Sequence, residues 1–86
     1  MLNDSDINLP ILIIGAGIAG IACAQKLQEN GKKVIILEAR SRIGGRIESK
    51  KIGSDFFDLG ASWIHGIDNN PIWEITQKNH IGTTVF

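Results

Sequence analysis

Two short apolar runs, ILII at Ile11–Ile14 and KVIILEA at Lys33–Ala39, stand out against a mixed background. Each is rich in β-branched residues and has no polar alternation. That pattern suits central strands of a parallel sheet, covered on both faces. Between them, IAGIACAQKLQEN (Ile18–Asn30) changes to a helical period. Ile18, Ile21, Ala22 and Leu27 fall near one face, and Gln25, Lys26, Gln28 and Glu29 mostly on the other. Asn30-Gly31 supplies the stop, because glycine accepts the left-handed conformation that ends a helix. Strand, helix and strand with tight connections predict a parallel βαβ unit of right-handed crossover.

Beyond Ala39 the pattern changes character. SRIGGR reads as a loop, and two extended pieces flanking KKIGSD predict a β-hairpin. GIDNNP is a turn, and Pro71 suits the first turn of a short amphipathic helix, Pro71–His80, with Ile72, Ile75 and Trp73 as its apolar positions. TTVF at the end of the sequence reads as the start of another strand. The fold class predicted is α/β: a partial Rossmann-like βαβ unit of the FAD/NAD(P)-binding type, followed by a β-hairpin and a short helix. Residues 1–9 form a polar lead-in, 10–40 the βαβ unit and 41–86 a second segment.

Composition narrows the classes. A chain of 86 residues is at most one small domain. Nine basic and nine acidic side chains cancel, so no basic field points to nucleic acid. The single cysteine, Cys23, cannot form an internal disulfide, which fits a reducing compartment. The start, MLNDSDINLP, lacks the basic and apolar regions of a signal peptide, and no run approaches the ~20 apolar residues of a membrane span. A cytoplasmic protein without membrane contact is the expectation. No ligand set has metal spacing.

Gly15-Ala16-Gly17-Ile18-Ala19-Gly20 matches G-x-G-x-x-G in its required context. A strand precedes it, a helix follows, and an acidic residue, Glu38, stands about 20 residues on, where the second strand ends. Gly15 allows the turn, Gly17 lets the backbone approach a diphosphate, and Gly20 lets the helix sit close to the sheet. The helix N-terminus offers N–H groups and the positive end of its dipole. Glu38 can accept hydrogen bonds from an adenosine ribose and disfavours a 2′-phosphate there, an inference that nearby Arg40 weakens. A plain glycine turn with a solvated glutamate is the bland alternative.

A nicotinamide-binding unit needs nothing more. Yet EARSRIGGRIES, Glu38–Ser49, adds Gly44 and Gly45 with Arg40 and Arg46. Paired glycines let backbone amides approach an anion, and arginine forks neutralise phosphate oxygens. The ligand this predicts is a dinucleotide enclosed along its length, as FAD is. A flexible loop with solvated arginines is the alternative.

IIGAGIAG, VIILEARSRIGGR and DLGASWIHG…NPIW together resemble the flavin-containing amine oxidases, over about residues 9 to 80. The last block is most similar to the polyamine oxidase branch. The glycine and arginine motifs also occur in monoamine oxidases, L-amino-acid oxidases, desaturases and protoporphyrinogen oxidases. The resemblance implies that Gly15, Gly17, Ile18, Ala19 and Gly20 line the FAD diphosphate and that Glu38 holds the adenosine ribose. It places Arg40, Gly45 and Arg46 along the diphosphate and ribityl side, and Gly60, Ala61, Ser62 and Trp63 beside the flavin ring. His65 matches a position facing the substrate tunnel in polyamine oxidases, although a lone loop histidine is more often structural.

The resemblance also implies the function. An amine gives hydride to the flavin, the imine hydrolyses, and oxygen reoxidises the flavin to release hydrogen peroxide. The family's substrate domain and its downstream lysine have no counterpart here, so the expectation is a fragment without turnover of its own. Two other readings stand beside it. One is a nucleotide-binding module completed by self-association through its uncovered sheet. The other is an NAD-dependent dehydrogenase unit. Among the remaining residues, Cys23 and Trp73 read as packing residues, His80 as a charge at a helix end or a solvated residue, and Asp55 and Asp58 as solvated.

Overall fold

The computed structural model describes residues 8–84. Two extended segments of the first unit pair as predicted. β1 (Ile11–Ile14) and β2 (Val34–Leu37) form a parallel two-stranded sheet in the register Ile11↔Val34 to Ile14↔Leu37. The backbone N–H of Ile11 donates to Lys33 O at 2.8 Å, and that of Gly15 to Leu37 O at 2.8 Å, so pairing runs just past both strand ends. The helix between them, α1, spans Ile18–Glu29.

The helix ends as its sequence predicts. The N–H of Lys32 donates to Leu27 O and that of Gly31 to Gln28 O, both at 3.0 Å, and Gly31 adopts φ +75°. These two bonds and the left-handed glycine make a Schellman motif, which satisfies carbonyls the helix would otherwise leave open.

The predicted apolar face of α1 is rotated. Ile18, Ile21 and Ala22 are exposed, as is Cys23, whose reading as a packing residue is therefore corrected. Ala24 is buried and Leu27 half-buried. Gly20, Ala24 and Leu27 recur at helical spacing, and the small pair at the front lets the helix lie close to the strands. A methyl group added to Gly20 would overlap the carbonyl oxygen of Gly15 and lie 3.4 Å from Ile13 Cγ2. Contact distance, more than hydrophobicity, selects this face.

The sheet is covered on one face only. Ile13, Val34 and Ile36 are half-buried. On the opposite face Leu12, Ile14, Ile35 and Leu37 are exposed, Ile14 to 80 %. The unbroken apolar runs predict cover on both faces; among the described residues nothing supplies it on the second.

β3 (Ser49–Ile52) and β4 (Asp55–Asp58) form the predicted hairpin, antiparallel, with Ile52 opposite Asp55 and Gly53-Ser54 at the turn. Ser49 Oγ donates to Asp58 Oδ1 at 2.7 Å. The hairpin continues past its named strands: Leu59 N–H donates to Glu48 O at 2.7 Å and Ala61 N–H to Arg46 O at 3.2 Å.

The last helix, α2, spans Pro71–Lys78. Asn70 caps it, its Oδ1 accepting from Ile72 N–H at 2.9 Å, and Pro71 occupies the first turn. Trp73 is half-buried and Thr76 buried. His80 follows the end of α2 with φ +55°, and Ile81 N–H donates to Thr76 O at 2.8 Å. The strand expected at TTVF does not form at Thr83 and Thr84; Val85 and Phe86 lie outside the described residues, as does most of the polar lead-in.

The radius of gyration is 16.8 Å, against about 12 Å for a compact domain of this length. The accessible surface is 7660 Å², against roughly 5,000 Å² for a compact monomer of this mass. Only Ala16, Ala24 and Thr76 are buried among the described residues. The elements form, but they enclose no large core. Among the described residues no helix is long and apolar enough to cross a membrane.

Candidate functional site

The two glycine loops meet. Gly17, at the start of α1, bridges in parallel to Gly44, and Gly44 N–H donates to Ala16 O at 2.8 Å. Gly45 has φ +60°, and a methyl group on it would lie 3.2 Å from Gly17 Cα. Backbone therefore faces backbone across a gap that side chains would fill. Beside it opens a cleft of about 350 Å³, lined by Gly17, Ile18, Ala19, Glu38, Arg40, Gly44, Gly45, Arg46 and Ile47. Its size is at the lower end of small-molecule sites, roughly 300–1,000 Å³.

Glu38 sits between the loops. Its Oε1 accepts from Ala16 N–H and its Oε2 from Arg40 N–H, both at 2.9 Å. The carboxylate thus ties the first glycine turn to the chain leaving β2. The hydrogen bond from the Arg40 backbone, then that from Ala16, with the nearby charges of Arg40 and Arg42, hold its pKa below the ordinary glutamate value. Each oxygen keeps a further lone pair for a ligand hydroxyl.

The electrostatics favour an anion. Gly17 caps α1 with no side-chain acceptor, and no acidic residue lies in the first turn, so the N–H groups of that turn are left for a ligand, with the Glu38 carboxylate beside them on Ala16 N–H. Arg40 and Arg46 line the cleft, and their side chains make no hydrogen bond or ion pair among the described residues. Two cations, Arg40 and Arg46, and one carboxylate, Glu38, leave the cleft net positive.

Of the residues singled out from sequence, the cleft gathers Gly17, Ile18, Ala19, Glu38, Arg40, Gly45 and Arg46. Gly15 and Gly20 stand behind it and shape the turn. Gly60 and Ala61 lie against the far side of the second loop, where a methyl group on Gly60 would overlap Arg46 O. Ser62, Trp63 and His65 follow in an exposed stretch without regular structure and do not line the cleft. The residue that sequence reasoning missed is Arg42. Its guanidinium binds Gly45 O at 3.0 Å and Glu48 Oε2 at 3.1 Å. The signal available was a third arginine inside a loop whose partner, Glu48, shares its short segment.

Comparison with known proteins decides the family. Residues 18–85 match the flavin containing amine oxidoreductase family. The chain belongs to that family. Over its whole length it is 39% identical to "Probable polyamine oxidase 4" of Arabidopsis thaliana, of which it covers 17%. It is 35% identical to "Pseudooxynicotine dehydrogenase" of a Pseudomonas species, over 94% of this chain and 16% of that protein. Among solved structures, a double mutant of putrescine oxidase superposes with a TM-score of 0.69 at 32% identity, over 80% of this chain and 15% of the other. The chain thus spans about a sixth of the length of these relatives. The Rossmann-like reading of the fold agrees with these neighbours, and the family's cofactor is a flavin.

Proposed function

We propose that the cleft holds the diphosphate and adenosine side of FAD, as the cofactor-binding portion of an amine oxidase. The observation that carries this is the meeting of Gly17 and Gly45 across a net-positive cleft. Gly15, Gly17, Ile18, Ala19 and Gly20 present the α1 N-terminus to the diphosphate. Arg40 and Arg46 neutralise its charge through paired, charge-assisted bonds. Glu38 accepts from the adenosine ribose on its remaining lone pairs. Gly60, Ala61, Ser62 and Trp63 pass beside the flavin ring, and His65 faces the substrate.

When bound, the flavin would supply the two-electron acceptor by which an amine becomes an imine, and molecular oxygen, as the oxidant that restores it, would be reduced to hydrogen peroxide. The protein's part is to orient the cofactor and exclude water. A polyamine-like amine is the substrate class that the similarity supports. The 86-residue chain binds without turnover. Steady peroxide release from purified chain given spermine would overturn that statement.

Titration of ADP, FAD and NAD into the chain by calorimetry tests the site. ADP and FAD are expected to bind; because NAD carries the same ADP half, the flavin reading requires FAD to bind more tightly than NAD. NAD binding as tightly as FAD, or more tightly, would sink the flavin reading, and no heat from any of them would sink the nucleotide reading. The uncovered face of Leu12, Ile14, Ile35 and Leu37 favours a second reading, a nucleotide-binding module completed by self-association. Sedimentation showing monomer at every concentration would exclude it.

A further inference from the structure

The second glycine loop poses a mechanical problem. Gly44 and Gly45 both take positive φ, +106° and +60°, and two adjacent glycines have little intrinsic reason to hold one shape. A phosphate site needs its amides held before the ligand arrives, because ordering them on binding costs affinity. Something else must select the conformation.

Three arginines follow β2 in close succession, Arg40, Arg42 and Arg46, and the structure uses them differently. Arg40 and Arg46 line the cleft, and Arg42 does not. Arg42 Nη1 donates to Gly45 O at 3.0 Å, with a longer approach to Ile43 O at 3.4 Å. Its Nη2 donates to Glu48 Oε2 at 3.1 Å. The planar fork thus spans from the turn's carbonyl to the chain entering β3. On the other side, Gly44 N–H reaches Ala16 O at 2.8 Å, and Ile47 N–H closes the turn on Gly44 O at 3.0 Å.

We infer that Arg42, itself held by Glu48, is a positioning residue: it sets the Gly44–Gly45 turn against the start of α1 and does not touch the ligand. This rests on the nucleotide reading of the cleft. A solvent-accessible, half-buried ion pair such as Arg42–Glu48 contributes little by itself. Here the same guanidinium also binds a backbone carbonyl, and a lysine, with one point charge, cannot reproduce both bonds in a fixed plane.

The test uses the full chain and two readouts, amide hydrogen exchange at Gly44 without ligand and ADP affinity by calorimetry. Arg42→Lys and Arg42→Gln are both expected to speed exchange at Gly44 and to weaken ADP by about tenfold or more, the scale of one lost charge-assisted bond. Glu48→Gln is expected to shift both in the same direction by less. Arg46→Gln is expected to weaken ADP and leave Gly44 exchange unchanged, which separates a group that touches the ligand from one that positions the loop. Wild-type behaviour of Arg42→Lys in both readouts would reduce Arg42 to a diffuse positive charge and overturn the inference. If Arg42→Gln loses its helical circular dichroism, Glu48→Gln decides, and unchanged exchange and affinity there overturn it. A wild-type chain that takes up no ADP, with exchange at Gly44 still accelerated in Arg42→Gln, would sink the nucleotide reading and leave the brace standing.

Discussion

Glu38 accepts two backbone N–H bonds from two separate loops. Replacing it by glutamine leaves one oxygen to accept and turns an amide nitrogen toward the other donor. Glu38→Gln is expected to melt below wild type at neutral pH. Because folding lowers the pKa of Glu38, its contribution is full above the ordinary glutamate value and is lost as pH falls through the lowered one. The gap between the two melting curves should therefore close in acid; a gap that widens as pH falls would contradict the assignment. Gly45→Ala tests the other side of the cleft. Alanine at φ +60° costs about 1–2 kcal/mol, and its methyl group presses on Gly17. The expected result is loss of ADP binding with the α1 circular dichroism retained. At this scale the need for a missing Cβ at Gly17 and Gly45 was legible, since backbone approach requires it wherever it occurs, but the approach observed is that of the two loops to each other. The division of labour among Arg40, Arg42 and Arg46 was not, because all three present the same group and only their placement separates a brace from a ligand contact.

Among the elements, α2 is the sharpest test of local rules. It has 8 residues and is far shorter than the ~12–15 at which isolated helices become marginal, so its ends matter. Asn70→Ala removes the cap, worth about 1 kcal/mol, and also the bond from Asn70 Nδ2 to Gly66 O at 2.8 Å. Loss of part of the helical ellipticity is expected. His80 is the opposite case. It occupies a left-handed position, φ +55°, where a non-glycine residue costs about 1–2 kcal/mol. Glycine there loses up to about 1 kcal/mol to its freer unfolded chain, so His80→Gly should raise helicity slightly; a fall would refute that accounting. The starts, stops and hairpin turn were readable because capping and turn chemistry act within a few residues. The buried face of α1 was not. Ranking residues by hydrophobicity chose Ile18 and Ile21, whereas the close approach of helix to sheet chose Gly20 and Ala24.

For the whole molecule, the dominant fact is surface. With 7660 Å² accessible where a compact monomer of this mass exposes roughly 5,000 Å², hydrophobic burial contributes little to stability. The chain alone is expected to bind a dye such as ANS strongly and to unfold in urea with a shallow slope, since the slope follows the area newly exposed. A steep cooperative transition with no dye binding would show that Leu12, Ile14, Ile35 and Leu37 are covered in solution. The sequence by itself determined the order of elements, their polarity and the two glycine loops with their charged neighbours, because periodicity, capping and backbone freedom are local properties written residue by residue. Only the tertiary structure decided that Gly17 and Gly44 meet, that Arg42 is spent on holding the turn, and that one face of the sheet has no cover among the described residues. Those are relations between distant segments, set by which surfaces fit against one another.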